Sequence, residues 1–413
     1  MDRRGLVFVV VTATFAATAY GQSTDSGISL PITVSAGAMY SERRPLVMPG
    51  VTPVTGGMRA MLYPSIKLGS NWFGYTALQV RQNPYFYYDA YDPNYHSITD
   101  VIQAYAGYTL HTDRGAVVLK AGRMATAFGS FPLRYDEMQN PLLDQPLSYV
   151  QSLTLRHDQL PCGVADLKMQ FVGSVGHFCG GTPGRKRGMT PVTLYGLPGA
   201  EVDLSFGRVD ARFQLAGASP VYNDVRAKQV PSYLQWSAGG GYSIRQGFRI
   251  GASAFRGPYL NEELQSALPA GKSLRDYPAT GIGTDVQFNR GRLSLSGEIH
   301  RFVFSYPSFT ESPSLLSAYV ESKVVLTPRF FLAARVGRYD PGRVTDTTGA
   351  SLARYAGRAQ SYETGAGYWL NRRTLVKTSY EWYLAEGRTG NQLNVAGVQL
   401  VYTLPSVSLP FHK

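Results

Sequence analysis

Histidine is the first residue type to test for chemistry. The chain holds six, His96, His111, His157, His177, His300 and His412. Only His300 falls in mid-segment on a polar face, where it shares that face with Glu298. A histidine beside a carboxylate is two thirds of a hydrolytic triad. The reaction also needs a serine within hydrogen-bond reach of the ring. Ser294 and Ser296 share the face but lie several residues along it, so His300 reads as a polar wall residue and no catalytic residue is assigned. No HExxH, CxxC or acidic cluster occurs, so neither a metal site nor a cofactor is expected. Gly239-Gly240-Gly241 lies inside an extended segment, where glycine serves curvature or close packing rather than nucleotide binding.

The remaining candidates are sulfur and charge. Cys162 and Cys179 fall in one long connection, 127–196. In an oxidising compartment they are expected to form a disulfide. Arg59, Lys67, Arg81 and Lys120 occupy the polar parity of four early segments without an interleaved acid. The long connection opens with Arg134, Asp136 and Glu137. If it folds inward, its carboxylates face the basic wall and create a transverse field, which narrow low-dielectric walls would focus. Arg59, Arg81, Lys120, Arg134, Asp136 and Glu137 are therefore the expected constriction residues of a pore.

What could position these groups follows from composition. The chain has 413 residues, 16% of them charged, 44 of them Gly and 28 Tyr. The charged share is below the usual soluble value of about 25%. An aromatic content of 12% excludes a disordered chain, and two cysteines exclude a disulfide scaffold. The residue bias disfavours a helical bundle and leaves an all-β class. Residues 1–21 read as a secretory signal peptide: Arg3 and Arg4 open it, Leu6 to Ala19 form an apolar run, and Ala17-Thr18-Ala19 offers small residues for cleavage. No other run approaches the roughly 20 apolar residues of a spanning helix, so a membrane location requires a barrel.

Sixteen segments alternate apolar and polar residues: 32–41, 56–67, 71–88, 98–110, 115–126, 197–206, 208–218, 231–244, 247–257, 278–288, 291–305, 313–327, 329–340, 359–370, 372–385 and 391–404. Short turns and long connections alternate between them, as in barrels with periplasmic turns and external loops. On the apolar parity, Trp72, Tyr108, Phe206, Tyr242, Phe248, Phe288, Phe330, Tyr368 and Tyr402 all fall near a short turn or the final strand end. Aromatics at one depth on many strands form an interfacial girdle, which a soluble sandwich has no reason to build. Arg123, Arg256, Arg301 and Arg338 break the parity; the last three lie near the loop ends of their strands, where a lipid-facing charge costs only about 0–1 kcal/mol. The alternation further predicts that Val320→Arg hinders assembly while Glu321→Arg, facing water, is tolerated.

The segment 118–147 resembles the porin-like outer-membrane family that includes the phosphate-selective porins, in Gly122, Arg123, Phe128, Gly129, Asn140-Pro141 and Pro146-Leu147. Ala127 stands where that family often has proline. The resemblance implies a sixteen-stranded barrel, often a homotrimer, whose long third loop enters the lumen. The C-terminus departs from the usual terminal aromatic, since His412 and Lys413 follow Phe411.

The resulting expectation is a closed antiparallel transmembrane β-barrel over residues 22–413, in the bacterial outer membrane, contacting its lipid. It would pass small hydrophilic solutes passively, with a mild preference for anions, and without nucleic acid as a partner. The basic run Arg185-Lys186-Arg187 is either a solvated loop or a contact to anionic lipopolysaccharide. The alternatives are a structural or adhesive barrel plugged by its own loop and, further off, an outer-membrane hydrolase built on His300.

Overall fold

The computed structural model describes residues 26–43, 52–83, 85–86, 97–134, 136–171, 178–181, 188–221, 234–386 and 392–410. The proposed signal peptide, Arg185-Lys186-Arg187 and the last three residues lie outside these. Sixteen strands form the barrel: β1 (Ile32–Ser41), β2 (Val54–Leu62, continued by Ser65–Leu68), β3 (Trp72–Gln82), β4 (Ser97–Thr112), β5 (Gly115–Met124), β6 (Leu197–Phe206), β7 (Val209–Ala216), β8 (Gln235–Arg245), β9 (Phe248–Pro258), β10 (Pro278–Arg290), β11 (Leu293–Phe304), β12 (Ser314–Thr327), β13 (Phe330–Pro341), β14 (Ala359–Asn371), β15 (Thr374–Ala385) and β16 (Gln392–Thr403). Each pairs antiparallel with its sequence neighbour. β1 also pairs with β16, from Thr33↔Thr403 to Ser41↔Val395, which closes the sheet and leaves no edge.

The expected strands are found with ends shifted by a few residues, except that the third, expected over 71–88, already ends at Gln82. Pro64 splits the second strand as its missing N–H requires, and its carbonyl instead accepts the N–H of Thr76 at 2.9 Å. Four short turns carry glycine in the left-handed region, Gly69 (φ 66), Gly207 (φ 57), Gly247 (φ 77) and Gly291 (φ 59), a conformation that residues with a side chain rarely adopt.

The outer face is apolar and exposed around the wall, including Leu204, Phe213, Ile250, Ile282, Val320, Val336 and Leu400. No water-soluble fold leaves such a surface bare; a hydrocarbon surround explains it. The aromatic girdle is built from registered pairs. Trp72 meets Tyr108 edge-on at 4.8 Å, and Phe248 meets Phe288 at 6.0 Å. Phe330 sits opposite Tyr368. Arg256, Arg301 and Arg338 point outward and are exposed, as the parity required. No register break accompanies Arg123, which pairs in step with Ala104 and Pro198.

The loop-length asymmetry makes a labelling prediction. Ser351→Cys, in the connection between β13 and β14, should react with an impermeant thiol reagent on intact cells. Ser70→Cys, in the β2–β3 turn, should not. Labelling at Ser70→Cys alone would invert the barrel in its membrane.

Candidate functional site: the third external loop inside the barrel

The connection from β5 to β6 crosses the lumen. Its Phe128, Phe131, Leu147, Tyr149, Leu153 and Leu155 are buried against Phe255, Phe302, Tyr319 and Tyr339 of the inner wall. Farther round, Leu142 packs on Phe331, Leu375 and Val401, and Leu143 on Met39 and Val395. Strand glycines form seats for it. A Cβ at Gly365 would stand 2.8 Å from Leu142, and one at Gly397 would stand 2.9 Å from Leu143, closer than carbon atoms approach. Gly239 lies directly beneath the Ala127 carbonyl, and the Arg249 guanidinium lies over Gly241. The glycine run therefore serves close packing, as its place in a strand suggested.

Charged wall residues hold the loop by its backbone. Glu298 on β11 accepts the N–H groups of Ser130 (3.2 Å) and Phe131 (2.8 Å) and the hydroxyls of Ser130 (2.9 Å), Tyr149 and Tyr319 (both 2.6 Å). Lys377 on β15 donates to the carbonyls of Glu137 (2.7 Å), Asn140 (2.9 Å) and Leu142 (3.3 Å). Arg335 on β13 donates to Glu321 (2.6 Å) and Glu363 (3.1 Å), and also to the Asp144 carbonyl (2.9 Å) and Asn140 Oδ1 (3.2 Å). Arg212 on β7 donates to the Gly129 carbonyl at 3.1 Å. A buried charge is tolerable only when its hydrogen-bonding capacity is filled, and the loop supplies the missing partners.

Here the structure departs from the sequence picture of charges lining open water. Glu298, Glu321, Arg335, Glu363 and Lys377 keep the inward parity assigned to them, but all are buried under the loop. Their parity was legible; that a loop carbonyl or carboxamide would lie over them was not.

The six expected constriction residues divide. Arg59 pairs with Glu137 and donates to Gln79 at 2.7 Å; Tyr63 donates to Asp136. Burial, then the neighbouring Glu137, pushes the Asp136 carboxyl up from its ordinary range. Arg81 faces Arg59 across the β2–β3 ladder and is half-buried. Lys120 is held instead by Glu201 (2.9 Å) and Asp203 of β6, away from the loop carboxylates. Arg134 ends a single turn of 3-10 helix, Phe131–Arg134, and its side chain lies outside the described residues. The structure thus brings Arg59 and Glu137 into direct contact rather than across a gap, with Asp136 held beside them by Tyr63.

Cys162 and Cys179 are bridged. Their ring contains the helix α1 (Val164–Phe171). Asp346, from the β13–β14 connection, accepts the Val164 N–H at 3.1 Å and so caps that helix from another loop. His300 is 1% exposed, its Nε2 lies 2.8 Å from Glu298, and neither ring nitrogen makes a hydrogen bond of good geometry among the described residues. A serine–histidine pair is therefore not assembled there. No group of three or more His, Cys, Asp or Glu among the described residues could hold a metal ion.

A closed sixteen-stranded antiparallel barrel with an inward third loop is the porin architecture. No family model and no curated protein matches the chain. Among solved structures, the chain is similar to an anion-selective porin from Comamonas acidovorans, 10% identical over 92% of this chain and 100% of that one, with a TM-score of 0.55. It is similar to the outer membrane channel DcaP of Acinetobacter baumannii, 10% identical, covering 93% and 99%, TM-score 0.55. It is also similar to Salmonella typhi OmpF, solved in complex with daunomycin, 11% identical, covering 91% and 97%, TM-score 0.55. At these identities the likeness is one of fold.

Proposed function

We propose that the protein is a bacterial outer-membrane channel through which small hydrophilic solutes diffuse passively, with the third loop setting the aperture. One observation carries this reading: a polar inner wall of sixteen strands is bridged by a loop hydrogen-bonded to it from several sides. The burial of His300 and its want of a hydroxyl partner among the described residues speak against the hydrolase built on it. Because Arg59 and Lys120 are each paired with carboxylates, any anion preference is weak. The phosphate-selective subtype has no support beyond the segment 118–147. A homotrimer suits the small residues on the outer face of β1 to β5, such as Ala36, Ala38, Gly56, Gly74, Ala106 and Ala121, which would let a neighbouring barrel approach closely.

A second reading, a barrel sealed by its loop, is favoured by the burial of so much of the inner wall. Single-channel recording on purified protein separates the two. Steady small steps are expected, with a reversal potential near zero in a salt gradient. Silence from correctly folded protein would establish the sealed barrel.

A further inference from the structure

The three outward arginines that break the apolar parity stand at one height. Arg256 lies eight residues beyond the girdle residue Phe248 on β9, and Arg338 lies eight beyond Phe330 on β13. On β11, Arg301 lies eight beyond Leu293, the first residue of its strand. The ladders give the same answer. Across β10, Arg256 registers with Thr280 and thence Val303, two residues above Arg301. Across β12, Arg301 registers with Leu316 and thence Asp340, two residues above Arg338. A two-residue descent every two strands is also the slope of the girdle itself, from Phe248 through the β11 start to Phe330. Eight residues at about 3.3 Å each, on strands tilted by about 40°, place the row about 20 Å above the girdle, close to the far edge of an apolar band about 25 Å tall.

The row is spaced for a ligand with several anionic groups. Neighbouring arginines are two strands apart and offset by two residues, about 12 Å at the usual strand spacing and rise. The strands between carry the short Thr280 opposite Arg256 and Ala318 opposite Arg338, while Ile282 and Leu316 flank Arg301. Arg256 and Arg301 have no carboxylate partner among the described residues. Arg338 shares Asp340 with Arg354 and Arg358, and Glu386 also pairs with those two, so three arginines meet two carboxylates and one positive charge remains. Elsewhere the same level carries aromatic anchors, Tyr362 on β14 and Trp382 on β15. Three exposed cations at a membrane interface, two without a counter-ion, demand one from outside.

We propose that Arg256, Arg301 and Arg338 form a binding site on the outside of the barrel for the phosphorylated headgroup of an outer-leaflet glycolipid. The guanidinium groups would take the phosphates in forked hydrogen bonds, while the exposed Ile282, Ile299 and Val336 below would meet the acyl chains. The site rests on the outer-membrane reading but not on conduction.

The test compares wild type with the triple variant Arg256→Gln, Arg301→Gln, Arg338→Gln. Both are reconstituted in nanodiscs of neutral phospholipid and exchanged with bisphosphorylated lipid A, and bound glycolipid is read by native mass spectrometry. Retention should fall by about fivefold for each arginine removed, the worth of one interfacial charge. Dephosphorylated lipid A should bind wild type no better than the variant. Conductance and heat-modifiability should be unchanged, which separates loss of this site from failure of the channel reading. Equal retention of bisphosphorylated lipid A by folded wild type and variant would overturn the proposal, as would equal binding of the dephosphorylated lipid to wild type.

Discussion

Replacing Glu298 by leucine should release the leading part of the third loop and raise single-channel conductance well above wild type. The carboxylate accepts two backbone N–H groups and three hydroxyls at once. Leucine accepts none. Each buried donor left unpaired costs about 1–3 kcal/mol, so the docked state should lose about 4 kcal/mol or more. The barrel ladders do not involve the side chain and should survive, which heat-modifiability in a gel will show. Glu298→Gln keeps an acceptor at the same place but lacks the charge, and should have a smaller effect in the same direction. A folded Glu298→Leu barrel with wild-type conductance would detach this residue from control of the aperture.

The second large effect separates lipid face from loop face at adjacent positions. Val320 is 60% exposed on the outer wall, in mid-strand, and Glu321 is 3% exposed with Arg335 at 2.6 Å. Val320→Arg places a charge against hydrocarbon at a cost of about 2–4 kcal/mol and should impair assembly. The alternation alone predicts that Glu321→Arg is harmless. The structure reverses that expectation, because the new arginine would meet Arg335 in a buried site and leave two cations to share Glu363. Breaking one member of such a cluster costs about 3–5 kcal/mol. Leucine distinguishes the two mechanisms: Val320→Leu should fold as wild type and Glu321→Leu should not. Equal stability of the two leucine variants would show that the Arg335 cluster does not hold the wall and loop together.

Much of this protein was readable in one dimension. In an antiparallel barrel each strand pairs with its sequence neighbour, so the order of segments is the topology. The two-residue period decides inside from outside, and the length of each connection decides which end it occupies. Val320 outward and Glu321 inward, the girdle from Trp72 to Tyr402, and the interruption at Pro64 all follow from local pattern. So did the pairing of Cys162 with Cys179, since only two cysteines exist. The third loop was different, because no period governs it. That Lys377 would bind the carbonyls of Glu137, Asn140 and Leu142, more than two hundred residues away, depends on where the closed wall brings β15. Parity marks Glu298, Arg335 and Lys377 as inward, toward water or toward protein alike. Only the tertiary structure decided between the two, because a charge can be buried once the folded loop supplies its hydrogen bonds, and those donors and acceptors converge only after the barrel has closed.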